Sequence, residues 1–330
     1  MGRSGHQYSE GIAYFSPMQP TSRKYLWVLG ATGYVGKHVV FELLERFKDD
    51  PSTQIVAVGH QSIHEDIMER THFLMMPLGE ISQKWLDKYP PSIVFHCARM
   101  AGSTDRKRFS AARKGERANR RLKELLEALP HPVKLVYCSG TLMYGNHTSE
   151  VVEGTEERPI AYARAYERAE RPWKEGSSKM DISIAYPAWI FGPESWFEAF
   201  YLRPFKATGA VAQIGSGDAL MNLVHIRDVA GQLLHIALHG EPGERYNLYG
   251  GEAVRQGDFA EAVASTLGGE VRVMTEKELV NHYGKTVAEA LTSSIPLGTK
   301  HGDWKARYSL EFPDWRTMVE DVVANYLRNS

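Results

Sequence analysis

Residues 28–36 read VLGATGYVG and set Gly30, Gly33 and Gly36 between an apolar run and the start of a helical pattern. Glycines at this spacing let the chain turn tightly at a strand's end and bring backbone N–H groups against a diphosphate. The helix N-terminus adds its partial positive charge. Thr32, Tyr34 and Val35 complete the same turn, and the chemistry implied is dinucleotide binding, with a purely structural glycine turn as the alternative. The next strand ends VAVGHQS, with no acid at its tip. A carboxylate there would hold the adenosine ribose hydroxyls and repel a 2′-phosphate. Gly59, His60 and Ser62 are therefore expected to admit that phosphate, favouring NADP(H) over NAD(H).

Further along, Tyr162 and Tyr166 lie four apart in YARAYERAE, so on a helix the two phenols share a face. About twenty residues earlier, SGTLMYG carries the hydroxyls of Ser139 and Thr141. Arg164 and Arg168 point away from the phenol face.

These groups need a scaffold that gathers strand ends. YLWVLGA, QIVAVGH, SIVFHCA and VKLVYCSG are apolar, strand-like runs. GKHVVFELLERFKDD, ISQKWLDKY and NRRLKELLEAL between them have helical spacing. Buried strands alternating with helices predict an α/β fold with a doubly wound parallel sheet. After residue 186 the aromatic, Pro/Gly-punctuated PAWIFGPESWFEAFYLRPF breaks the alternation. NLVHIRDVAGQLLHIAL and ERYNLYG then return to it. The expected organisation is a leader at 1–22, with Met18 an alternative start. A dinucleotide-binding domain at 23–186 and 222–250 follows, with a smaller, discontinuous lobe at 187–221 and 251–330.

With 43% hydrophobic and 24% charged residues and a formal net charge of −1, neither nucleic acid nor an anionic membrane is an expected partner. No apolar run approaches the roughly 18 residues of a membrane span, and a cytoplasmic location is expected. Cys97 and Cys138, the only cysteines, sit in apolar strand-like runs and read as buried free thiols, with a disulfide or redox role as the alternative. The thirteen histidines show no paired-ligand spacing, so no metal is expected.

Taken together, GATGYVG, IVFHCA, Asn119 in ANRRLKELL, SGTLMYG, YARAYERAE, WIFGP, GSGDALMNLVHIRDVA and RYNLYGGEAV resemble the extended short-chain dehydrogenase/reductases, the group of the sugar-nucleotide epimerases and dehydratases. The resemblance runs from about residue 24 to the C-terminus and implies a Rossmann-type sheet. It makes Tyr162 the acid–base tyrosine, with Glu170 the motif glutamate eight positions on. Ala98 and Pro187 join the cofactor contacts. The family's catalytic Ser/Thr falls on Gly140, so Thr141, or failing it Ser139, is the substitute hydroxyl. His225 and Asp228 match a motif that orders a strand-to-helix corner.

The largest departure is Tyr166, which stands where the family has a lysine. That lysine's charge favours the phenolate of the neighbouring tyrosine and binds the cofactor ribose. A neutral Tyr166 can hydrogen-bond a ribose but brings no charge; equally, it can simply pack. On the substrate side, Trp189 replaces an asparagine and Met221 an arginine, both used by the family on sugar nucleotides, and Pro77 replaces the usual acid near the adenine. The expected substrate is thus a small non-nucleotide molecule, aromatic or apolar, near Trp189, Trp196 and Met221, although half or more of the local aromatics should be lobe core. Two readings stay open. One is an NAD(P)-dependent oxidoreductase or epimerase. The other is a relative that has lost hydride transfer and performs a non-redox proton transfer, elimination or cyclisation, or regulates through NADP(H). Between Arg99 and Lys123 there are ten Lys/Arg and two acids. This segment reads as a solvated face or the salt-bridged rim of a homodimer, with a dock for an acidic carrier protein as the alternative.

Overall fold

The computed structural model describes residues 23–60 and 65–328. The leader expected at 1–22 and the cofactor candidate Ser62 lie outside the described residues. The chain runs β1 (Lys24–Leu29), α1 (Tyr34–Arg46), β2 (Thr53–Gly59), α2 (Glu65–Arg70), β3 (His72–Met75), α3 (Gln83–Lys88), β4 (Pro91–His96), α4 (Asp105–Glu127) and β5 (Val133–Cys138). It continues through α5 (Ala161–Lys174), β6 (Met180–Pro187), β7 (Trp189–Phe191), α6 (Arg203–Thr208), β8 (Ala210–Ile214), β9 (Leu220–Met221), β10 (Leu223–His225) and α7 (Ile226–His239). The remainder is β11 (Arg245–Leu248), β12 (Val254–Arg255), α8 (Gln256–Leu267), β13 (Glu270–Met274), α9 (Glu276–Tyr283), α10 (Lys285–Leu291), α11 (Gly302–Ala306) and α12 (Trp315–Arg328).

Seven strands form one sheet in the order β11-β6-β5-β4-β1-β2-β3, every neighbouring pair parallel. β1 is central, with Val28 opposite Ala57 on one side and Phe95 on the other. Leu26 to Leu29 are all buried, as a strand covered on both faces requires. The crossovers leave β1 and β4 in opposite directions, so α1 packs with α7 and α4 with α5 as separate layers. The result is the α/β doubly wound, Rossmann-type sheet expected.

A second apolar cluster, from Phe191 through Phe259 to Val323, lies apart from the sheet core. Small strand pairs (β7 with β10, β8 with β13, β9 with β12) serve this second region. His225 and Asp228 brace the β10–α7 corner: His225 Nδ1 accepts from the Arg227 amide at 3.3 Å, and Asp228 accepts from the Glu311 and Phe312 amides at 2.8 and 3.0 Å.

α4 begins at Asp105, fourteen residues before the helix legible as NRRLKELLEAL, with the Thr104 hydroxyl accepting from the Lys107 amide at its start. Its first half is too arginine-rich to display an apolar stripe in sequence. No described helix is long and apolar enough to cross a membrane, and no group of three His, Cys, Asp or Glu among the described residues could hold a metal ion.

Candidate active site

Because every strand of the main sheet is parallel, the loops after β1, β2, β4, β5 and β6 open on one carboxyl edge. That is where open α/β sheets place their ligand crevice. The turn after β1 is closed by backbone contacts. Gly30 has φ +82°, and a Cβ there would lie 2.8 Å from the Ala98 N and Cα atoms. A Cβ on Gly36 would overlap the Gly30 carbonyl, and one on Gly59 would overlap the Thr32 methyl. Backbone thus crowds Gly30 and Gly36 so closely that only glycine fits, while at Gly59 it is the Thr32 side chain that stands in the way.

Gly33 differs. It is the N-cap of α1 in extended geometry, with no side chain capping the helix and no acid in the first turn. A Cβ there would meet only the Gly30 carbonyl, at 3.2 Å. The free N–H groups of α1 therefore face outward at the crevice, a donor set that fits a diphosphate. Val35 is half-buried against the sheet core. Tyr34 turns the other way, against Gly192, and burial raises its phenol well above the usual tyrosine range. The 192–195 loop also holds Glu194, which has φ +62° and pairs with Lys37 of α1 at 2.5 Å. At the tip of β2, His60 is exposed. Pro187 is buried at the end of β6.

The phenols lie on α5. Tyr162 is half-buried and Tyr166 is 5% exposed, their ring centroids 5.8 Å apart. Tyr166 packs with Ala112 of α4 and with Ala165 and Ala169 of its own helix. Of the flanking arginines, Arg164 donates to the Pro159 carbonyl and Arg168 pairs with Glu116.

Cations do reach the phenols, from another element. Arg99, three residues beyond β4, places Nη2 3.4 Å from the Tyr162 hydroxyl and its guanidinium carbon 4.8 Å from the Tyr166 ring centroid. Arg108 of α4 lies 5.0 Å from the Tyr162 ring and is tied to Asp105 at 2.5 Å. Asp105 in turn accepts from the Thr286 hydroxyl of α10 at 3.0 Å, and Glu289 of α10 accepts from the Ala161 amide at the start of α5. Gly102 folds the connecting loop onto α4, since a Cβ there would overlap the backbone of Lys107 and Arg108. Sequence reasoning searched α5 for the missing cation and found none. The available signal was a basic residue directly after Ala98, at a strand's carboxyl end.

The hydroxyls part company. Ser139 donates to Glu170 at 2.8 Å, and Glu170 pairs with Lys174 at 2.9 Å. Lys174 also holds Glu157 at 2.5 Å, and Glu157 accepts from the Tyr186 hydroxyl at 2.7 Å. Burial raises the Glu170 carboxyl, and Lys174 opposes that rise. Thr141 is buried at the start of a 3-10 turn after β5. Gly140 between them has nothing within 4 Å of where a Cβ would stand, so its side opens to free space. Cys97 and Cys138 are free and adjacent at the ends of β4 and β5; hydrogen bonding to Cys138, with burial, pushes the Cys97 thiol well up.

Of the substrate candidates, Met221 is buried at 6% in the lobe core, paired with Val254 and bridged to Ile295. Trp196 sits among Phe191, Phe197, Tyr201 and Phe259, with its Nε1 buried and unpaired. Trp189 packs edge-on against Trp196 at 5.0 Å and keeps part of its surface free.

The profile of the NAD dependent epimerase/dehydratase family matches residues 26–248. No curated protein matches the chain in sequence. Among solved structures, a human epimerase family protein with NADPH is similar at 15% identity and TM-score 0.74, covering 91% of this chain and 99% of that one. A dTDP-glucose 4,6-dehydratase from Streptomyces venezuelae, with NAD bound, is 17% identical at TM-score 0.73, covering 92% and 97%. A UDP-glucose 4-epimerase from Thermotoga maritima, with UDP-glucose, is 17% identical at TM-score 0.72, covering 92% and 99%.

Proposed function

The chain belongs to the NAD dependent epimerase/dehydratase family, and from that premise we propose that it is a nicotinamide-dependent oxidoreductase or epimerase acting on a carbonyl or alcohol of a small non-nucleotide molecule. One observation carries the reading: Ala98, which abuts Gly30, is followed directly by Arg99, which reaches the Tyr162 hydroxyl. The glycine turn and the phenol thus share one crevice at the sheet's carboxyl edge.

The residues present fit a nicotinamide dinucleotide. The uncapped start of α1 at Gly33 would hold its diphosphate. The nicotinamide, when bound, supplies the hydride donor or acceptor. Tyr162 gives a proton to the substrate oxygen or takes one from it. Thr141 orients that oxygen, because Ser139 is committed to Glu170. The β2 tip, Gly59 then His60, carries no acid, which supports NADP(H) over NAD(H); the first carboxylates beyond it, Glu65 and Asp66, lie in α2. Met221 and Trp189, in place of an arginine and an asparagine, withhold polar contacts that a substrate diphosphate would need. That favours a non-nucleotide substrate, with the free part of Trp189 as an apolar contact.

A homodimer through α4 and α5, which the resemblance suggests, would oppose Arg113, Lys114 and Arg117, all exposed, to like charges. Such a dimer would strengthen as salt rises.

Gly140, which lacks the family's hydroxyl, favours the second reading, a non-redox proton transfer, elimination or cyclisation on the same crevice. Quenching of intrinsic fluorescence by NADPH and NADH tests the cofactor, with tighter NADPH binding expected. Oxidation of bound NADPH by a panel of aldehydes and ketones then separates the readings. Binding of neither nucleotide contradicts the oxidoreductase or epimerase reading.

A further inference from the structure

We propose that Arg99 is a catalytic residue: it carries, from the loop after β4, the positive charge that α5 lacks, and stabilises the phenolate of Tyr162. The inference rests on the nicotinamide reading above and adds a residue to it.

Three observations converge. Arg99 Nη2 donates to the hydroxyl oxygen of Tyr162 at 3.4 Å, which sets a cation against the atom that exchanges the proton. The guanidinium lies over Tyr166, 4.8 Å from a ring that is 5% exposed and held between α4 and α5. A buried ring is a rigid platform for a planar cation. Finally, no described carboxylate lies within ion-pairing distance of Arg99, whereas Arg108 is neutralised by Asp105. Other charged groups around the start of α5 include that Arg108–Asp105 pair, Glu289 of α10, which is engaged with the Ala161 amide, Arg164, which donates to the Pro159 carbonyl, and the Arg158–Glu156 pair.

This arrangement gives Tyr166 a reason. A lysine at 166 would set a second cation beside the Arg99 guanidinium, while a tyrosine there offers it a π face. Arg99 with Tyr166 is one solution to charging the phenol, and a lysine at 166 is the other.

The test is nitration of Tyr162 by tetranitromethane at pH 8, which attacks the phenolate, followed by peptide mass spectrometry on the apo protein. Arg99→Ala should slow nitration about five- to tenfold even though it uncovers the ring. Arg99→Lys should keep most of the rate, and adding Tyr166→Lys to Arg99→Ala should restore it. Should Arg99→Ala fold poorly by circular dichroism, Arg99→Gln keeps the bulk without the charge and should show the same fall. An unchanged or faster rate in the folded neutral variant overturns the proposal. The assay contains no cofactor, so that result removes Arg99 alone, whereas failure of the wild type to bind NADPH or NADH removes the reading beneath it.

Discussion

Arg99 reaches the hydroxyl of Tyr162 at 3.4 Å across 63 residues of sequence, resting on the ring of Tyr166. The relationship gives the second tyrosine a role as an aromatic surface, which its hydroxyl does not share. Tyr166→Phe should therefore cost less than about 1 kcal/mol, whereas Tyr166→Ala, which empties the space between α4 and α5, should cost about 3–5 kcal/mol. Urea unfolding measures both. A cost above about 2 kcal/mol for the phenylalanine variant would mean that the hydroxyl itself is required.

Tyr162 is assigned the proton, so Tyr162→Phe should lower turnover on any carbonyl substrate at least about 100-fold. Affinity for NADPH should stay within about threefold, because the proposed diphosphate site is the start of α1 and Tyr162 lies on α5. Steady-state kinetics beside a binding titration separate the two effects. Equal losses in both would place the phenol in binding instead.

Lys174 bridges two mostly buried carboxylates, Glu170 at 2.9 Å and Glu157 at 2.5 Å. Removing the cation leaves Glu170 with the Ser139 hydroxyl alone, and Glu157 with the Tyr186 hydroxyl and Arg245 at 3.4 Å. Lys174→Met should destabilise the fold by about 3–5 kcal/mol. Glu170 also holds Ser139, so hydrogen exchange should rise at the end of β5. A thermal melt within about a degree of wild type would show that the network contributes nothing.

His96 is fully buried between Asn119, Tyr137 and Trp173, and burial holds its imidazole down at about 4. The unfolded chain takes up this proton near pH 6.5. Between about pH 6.5 and 4 the unfolded state binds more protons, so this group's contribution to stability falls as pH falls. Going from pH 7 to 5 should cost about 2 kcal/mol through His96. The raised carboxyls of Glu170 and Asp228 act in the opposite direction, so the comparison is with His96→Gln. That variant should lose less stability over the same range in urea titrations. Equal losses would mean that His96 does not titrate on unfolding.

The scaffold was legible because its signals are local. Apolar runs such as YLWVL and IVFH cannot be half-exposed, and Gly30, Gly33 and Gly36 fall where a strand meets a helix. The first half of α4 was not, because Arg106, Arg113 and Arg117 face solvent and mask the period that its second half displays. Tyr162 and Tyr166 could be set on one face from spacing alone. The cation beside them could not, since a loop from another strand delivers it, and neither Gly102 nor Arg99 forms a pattern with α5. The aromatic segment after β6 was ambiguous for a related reason. Core rings and pocket rings have the same composition, and packing alone separates fully buried Phe197 from partly free Trp189.

The central claim, a nicotinamide dinucleotide seated on the turn after β1, is tested most directly by calorimetric titration of NADPH into wild type and Gly33→Asp. Position 33 is an N-cap in extended geometry. Aspartate suits that place, once its tight 3.2 Å contact with the Gly30 carbonyl relaxes. It should leave the melting temperature within about 2 °C while setting a carboxylate at the proposed diphosphate site. Wild type should bind NADPH, and the folded variant should bind it at least about tenfold more weakly. Absence of dinucleotide binding by wild type, or equal binding by the two proteins, would contradict the account.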